Sequence, residues 1–77
     1  MNMIKVISSQ IKEIGYDEKK QKLIVRFNNG NKLYRYDSVP PSVYDDLMEA
    51  ESHGGFFNSY IRTKFQYRPI EEHEIES

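Results

Sequence analysis

Between Gln10 and Asp37 apolar residues recur at roughly every second position, and from Ser42 they recur at every third or fourth. The first spacing predicts half-buried strands and the second predicts helix. IKEIGY, with Ile11, Ile14 and Tyr16, is followed by the polar turn DEKKQ, then KLIVRF, the turn NNGN, and KLYRYD. Met3–Ile7 adds a short candidate edge strand. Asn29-Gly30 fits a two-residue type I′ turn, in which both central residues take positive φ. That turn sets Phe27 opposite Lys32, Arg26 opposite Leu33, Val25 opposite Tyr34, Ile24 opposite Arg35 and Leu23 opposite Tyr36. One face then receives Leu23, Val25, Phe27, Tyr34 and Tyr36, as a buried face should, and the other receives Ile24, Arg26, Leu33 and Arg35. An even-numbered turn at DEKK places Ile14 opposite Leu23 with Tyr16 beside it. Ile11 then has the wrong parity unless a bulge intervenes.

Pro40-Pro41 stops the strands, and Pro41 suits a helix's first turn, where its missing N–H costs nothing. Val43, Tyr44, Leu47, Met48 and Ala50 share one arc of the predicted helix, with Asp45, Asp46 and Glu49 outside it. His53-Gly54-Gly55 reads as its end, with a glycine as left-handed cap and His53 near the terminal carbonyls. A second, shorter helix is predicted from about Phe56 to Lys64, or from Ser59 if Asn58 is its cap. The fold class is therefore α+β: a small antiparallel sheet of three to four strands with two short C-terminal helices on one face. Residues 1–68 are expected to form the single domain and residues 69–77 a disordered acidic tail.

Composition sharpens this picture at three points. With 77 residues and no cysteine, neither a disulfide nor a thiolate metal site can staple so small a core. Six tyrosines and four phenylalanines compensate with large buried ring area. Formal charge is −1, but Glu71, Glu72, Glu74 and Glu76 all lie in the last nine residues. The remaining body holds eleven basic against eight acidic side chains. A screening contact between this tail and the body is the alternative to disorder. No run approaches the ~20 apolar residues of a membrane span, and a cytoplasmic location is the default expectation.

Catalytic chemistry has few candidates. His53 and His73 are the only histidines, and no G-x-S-x-G elbow supports a triad through Ser52 or Ser59. Glu71-Glu72-His73-Glu74 lacks the H-E-x-x-H spacing that holds two ligands on one helix face. Gly54-Gly55 lacks the lysine of a phosphate-binding loop. The expectation is no enzyme, no metal and no cofactor.

FNNG, Tyr34-Arg35-Tyr36, VPPSVY and GGFFNSYIR together resemble the KTSC family, from about Ser8 to Tyr67. That small domain is known at the C-terminus of some lysyl-tRNA synthetases and as a stand-alone protein. Its central Tyr-x-Tyr corresponds to Tyr34 and Tyr36, its IGYD to Ile14–Asp17, and its FFN…IR to Phe56–Asn58 with Ile61 and Arg62. The resemblance implies a fold of this kind and RNA as a partner.

Candidate site residues follow from the sheet face turned away from the helices, which should meet water. Arg26 and Arg35, with Arg62 and Lys64, suit phosphate, and Ile24 and Leu33 add apolar area. The function expected is a non-catalytic binding module for RNA, or alternatively for another protein or a second copy, through this same mixed face. Tyr16, Tyr67 or one ring of Tyr34 and Tyr36 would supply any base stacking. Monomer and weak homodimer both remain open.

Overall fold

In the structure, a computed structural model describing residues 1–76, the β-rich runs pair into a five-stranded antiparallel meander. The strands are β1 (Met3–Lys5), β2 (Ile11–Asp17), β3 (Lys22–Phe27), β4 (Leu33–Tyr36) and β5 (Tyr67–Pro69). Helices α1 (Pro41–Glu49) and α2 (His53–Tyr60) lie between β4 and β5 in the chain. The sheet thus has one strand more than the upper expectation, because β5 closes onto β4 with Tyr36 opposite Tyr67 and Arg35 opposite Arg68.

The β3–β4 register is the one the Asn-Gly argument gives, from Leu23 opposite Tyr36 to Arg26 opposite Leu33. The bend itself differs. It is a four-residue loop containing a 3-10 turn at Asn29–Asn31, with Gly30 at φ 70° and Asn31 at φ 52°. Asn28 is drawn out of the hairpin ladder by the β1–β2 connection. Its backbone N–H donates to the Gln10 carbonyl at 2.9 Å, and its Nδ2 donates to the Ser8 carbonyl at 2.9 Å. Two residues versus four leaves the same pairs opposed, so the facing of every side chain survives the change of turn.

On β2 a bulge does intervene. The pairing sum shifts between Ile11, opposite Phe27, and Glu13, opposite Arg26. The extra residue returns Ile11 to the buried face, where it is fully covered. Ile14 faces Val25 and Tyr16 faces Leu23, one pair further along than expected but with the same parity.

Helix α1 starts at Pro41 as its proline predicts, and Leu47 is its buried anchor. Glycine does not end it. The cap is Ala50 in extended conformation, and Gly54 and Gly55 lie in the first turn of α2, whose N-cap is Ser52. The Gly55 N–H donates to Ser52 Oγ at 3.0 Å, satisfying one of the donors a helix start leaves open. His53 Nδ1 donates to the Leu47 carbonyl at 2.9 Å, so its ring serves the end of α1 from the start of α2. Gly54 is buried, and a Cβ there would come within 3.2 Å of Gln10 Oε1 and 3.3 Å of Ser8 Oγ. That close approach lets the amides of Gln10 and Asn58 bond reciprocally, at 3.1 and 2.9 Å.

The main core lies between sheet and helices and contains Ile11, Ile14, Leu23, Val25, Tyr36, Val39, Leu47, Phe57 and Ile61. Tyr16 completes one flank. Its ring stacks on Tyr44 at 4.5 Å, and its hydroxyl donates to the Val39 carbonyl at 2.6 Å.

A second, smaller cluster sits on the opposite face of the sheet, and here the expected tail is corrected. Ile24 and Leu33 are buried there by Ile70 and Ile75, with Met3 against them. Residues Glu72–Glu76 form a 3-10 turn, and the Ile70 N–H donates to the Leu33 carbonyl at 3.1 Å. The stretch called disordered is folded across the outer face as far as residue 76, and Ser77 lies outside the described residues. Two isoleucines that would otherwise face water give the reason. Packed against Ile24 and Leu33, they take four apolar side chains out of water together.

Candidate ligand cleft and the covered outer face

The six residues expected to form one open surface fall into three places. Ile24 and Leu33 are covered, at 2% and 7% exposure. Arg26 is enclosed by carboxylates. Its Nε donates to Glu13 Oε2 at 2.8 Å, and its Nη2 donates to both oxygens of Glu72 at 2.7 and 2.6 Å. These bonds hold its guanidinium even more firmly charged than usual. Arg35 Nε donates to Asp37 Oδ1 at 3.0 Å, and Lys22 Nζ reaches the same oxygen at 3.2 Å. Partial burial pushes the Asp37 carboxyl up, but these two cations outweigh it and hold it below the usual range. Lys64 stands apart in a shallow hollow with Asp37, Gln66 and Arg68.

The outer face is thus not an open basic sheet. Arg26 is matched by an acid on a neighbouring strand and one on the C-terminal segment, Arg35 by Asp37, and Arg68 by Glu74 at 3.5 Å. Glu74 is held below its ordinary range, first by the N–H of Glu71 and then by Arg68, His73 and Arg35.

Arg62 occupies the third place, and there the structure forms a concavity of about 450 Å³. This lies within the ~300–1,000 Å³ range of small-ligand sites. Its floor is made by Phe27, Tyr34 and Tyr36 of the hairpin, its sides by Phe57 and Tyr67, and its rim by Lys32, Arg62, Asn29 and the Ser9-Gln10 connection. The cleft exists because α2 ends at Tyr60 and leaves the far end of the inner sheet face uncovered. Ile61 turns into the core immediately after, which carries Arg62 to the rim.

The rings are mutually braced. Phe57 meets Phe27 edge-on at 5.5 Å and Tyr36 at 5.2 Å, while Tyr67 meets Tyr34 edge-on at 5.8 Å and lies over Tyr36 at 5.5 Å. Tyr67 is nevertheless 58% exposed, so one of its faces remains available. Tyr36 is core, as its register requires, but its hydroxyl is not sealed off without a partner. Of the stacking candidates, Tyr16 is consumed by Tyr44 and the Val39 carbonyl, leaving Tyr67 and Tyr34.

Among the described residues neither Lys32 nor Arg62 is in an ion pair, in contrast to Arg26, Arg35 and Arg68. The cleft therefore joins aromatic faces to two uncompensated cations. No three His, Asp or Glu side chains cluster to hold a metal among the described residues, and no helix is long and apolar enough to cross a membrane.

Burial pushes the Tyr36 hydroxyl up to about 12, with Tyr67 and Tyr34 adding to the rise and Arg62 opposing it. A group whose folded pKa is raised contributes stability that is complete below its unfolded pKa of ~10 and is lost as pH rises toward the folded value. Alkaline titration followed by tyrosinate absorbance should show one tyrosine ionising about two units late, with stability falling between pH ~10 and ~12. Tyr36→Phe should remove that step. A parent whose six tyrosines all ionise near pH ~10 would contradict the enclosed position of Tyr36.

Comparison with known proteins gives one consistent picture. The KTSC domain model matches residues 7–65. A lysine–tRNA ligase from Nostoc punctiforme is 40% identical over 68 residues, which are 88% of this chain and 12% of that protein. A protein from Tsukamurella paurometabola is 46% identical over 61 residues, covering 79% of this chain and 90% of the relative. The chain spans only about an eighth of the ligases it matches, but nearly all of the small relative. The crystal structure of a KTSC domain protein from Yersinia pestis superposes with a TM-score of 0.87 at 36% identity, covering 91% of this chain and 97% of that one. By sequence and by fold alike, the chain belongs to the KTSC domain family.

Proposed function

We propose that this non-catalytic module binds single-stranded RNA, and that it does so through the aromatic cleft instead of the outer sheet face. The observation that carries the reading is the conjunction of an exposed Tyr67 face with uncompensated Lys32 and Arg62 around one concavity. A nucleotide is a flat ring attached to an anion, and both halves find a counterpart here. Arg26 and Arg35 are poorer partners for phosphate, because each is already hydrogen-bonded to a carboxylate that a phosphate would have to displace. Three relatives named lysine–tRNA ligase carry a matching segment, which places similar modules beside a protein named for tRNA.

The test is a titration of a short unstructured oligoribonucleotide at several salt concentrations. Two neutralised phosphates should give a slope of log affinity against log salt near about −1.4 for a single strand. Tyr67→Ala should weaken binding by ~1–3 kcal/mol, the worth of one stacked base, without changing that slope. Affinity unaffected by Tyr67→Ala, or no binding at low salt, would remove the proposal.

A further inference from the structure

The aromatic cleft and the shallow hollow that holds Lys64 adjoin, because Tyr67 borders both. Both are shaped by the connection from α2 to β5. Ile61 and Phe65 pin that connection to the core, and Arg62, Thr63, Lys64, Gln66 and Tyr67 stand exposed along it. The hollow's charges are matched except for one. Asp37 is held by Lys22 and Arg35, and Arg68 lies 3.5 Å from Glu74. Among the described residues Lys64, like Lys32 and Arg62, is in no ion pair. Beside it Thr63 and Gln66 offer neutral donors and acceptors. Lys32, Arg62 and Lys64 therefore border one stretch of open surface that runs past Tyr67.

We infer, resting on the RNA reading above, that cleft and hollow are consecutive subsites of one single-stranded RNA track. One base stacks on the free face of Tyr67 in the cleft, and a phosphate of the strand leaving the cleft meets Lys64 in the hollow. The footprint is then longer than the cleft alone, and Lys64 supplies its third phosphate contact. A lysine is a compact charge on a flexible stem, so it holds a phosphate without fixing the orientation of the neighbouring base. Beyond Tyr67 the hollow's lining has only half-buried Phe65 as a ring. Its contribution is therefore to the backbone, which positions a strand without reading its sequence.

The experiment titrates two ligands onto the full chain at several salt concentrations. One is 5′-phosphorylated diuridylate, whose two phosphates the cleft's two cations exhaust, and the other is hexauridylate. The parent should bind the hexamer more tightly. Lys64→Gln, at an exposed position, should weaken hexamer binding by about tenfold or more and make its salt slope shallower by about 0.7, leaving the dimer unchanged. Lys5→Gln removes an equal charge from β1, at the opposite edge of the sheet, and should alter neither. A hexamer insensitive to Lys64→Gln but weakened by Tyr67→Ala overturns the track and leaves the cleft reading intact. Equal losses from Lys5→Gln and Lys64→Gln overturn it in favour of a diffuse field, and equal losses for dimer and hexamer put Lys64 in the cleft's own unit. Failure of the parent to bind either ligand at low salt removes the RNA reading and the track with it.

Discussion

Phe57→Ala should cost about 3–5 kcal/mol and leave the chain largely unfolded at room temperature. A core of this size supplies only ~3–5 kcal/mol of net stability, so one such loss is comparable to the whole margin. Phe57 is 1% exposed and touches both halves of the structure. Its ring packs edge-on against Phe27 of β3 and Tyr36 of β4, while its backbone belongs to α2. Truncation would therefore open a cavity where helix, hairpin and cleft wall meet. Urea denaturation followed by circular dichroism would measure the loss. A variant that keeps its midpoint within about 0.5 kcal/mol of the parent, the scale of ordinary surface substitutions, would show that the helical layer is not held as described.

Reversing both rim charges, Lys32→Glu with Arg62→Glu, should reduce RNA affinity by about 100-fold or more at low salt. The estimate follows from two charge-assisted contacts of ~1.5–3 kcal/mol each, with ~1.4 kcal/mol for each tenfold. Both positions are exposed, so the fold should survive the change. Arg35→Glu is the control. Arg35 lies on the other face and already contacts Asp37, so its reversal should alter affinity far less than the pair does. If Arg35→Glu abolished binding while the rim pair did not, phosphate would be held on the outer face and the C-terminal segment would have to be displaced to admit it.

Much of the fold was legible because two periodicities carry it. The hairpin facing of Leu23, Val25, Tyr34 and Tyr36 against Ile24, Arg26, Leu33 and Arg35 holds even though the Asn-Gly bend is longer than expected. The constraint that mattered was which residues oppose one another, and an even number of loop residues preserves it. Ile11 was legible only as a conflict of parity, resolved by a bulge. Gly54 and Gly55 misled because the sequence does not distinguish a glycine that ends one helix from a glycine that opens the next. The deciding features are the Ser52 cap and the close approach of Ser8 and Gln10, and the latter comes from more than forty residues away.

The site was less legible than the fold. β5 is three residues long and ends in Pro69, so it offers no alternation to detect. Without it, Tyr67 has no fixed place and the cleft has one wall fewer. The acidic character of the last nine residues concealed Ile70 and Ile75, whose signal lies in the pairing of two isolated isoleucines with two outward-facing apolar residues, Ile24 and Leu33. An outward strip that needs cover and a segment that can supply it are complementary only when read together. Arg62 was picked for its charge alone. Its position beside Tyr34, Tyr36 and Tyr67 depends on where α2 stops, which no local pattern states.

Nuclear magnetic resonance of the full chain titrated with a short oligoribonucleotide examines the assignment of the ligand site most directly. Shifts and line broadening concentrated at Tyr34, Tyr67, Lys32 and Arg62, with the Ile24, Leu33 and Ile75 methyls unmoved, are the expected result. Perturbation of those methyls together with Arg26 and Arg35, and silence at Tyr67 and Arg62, would contradict it.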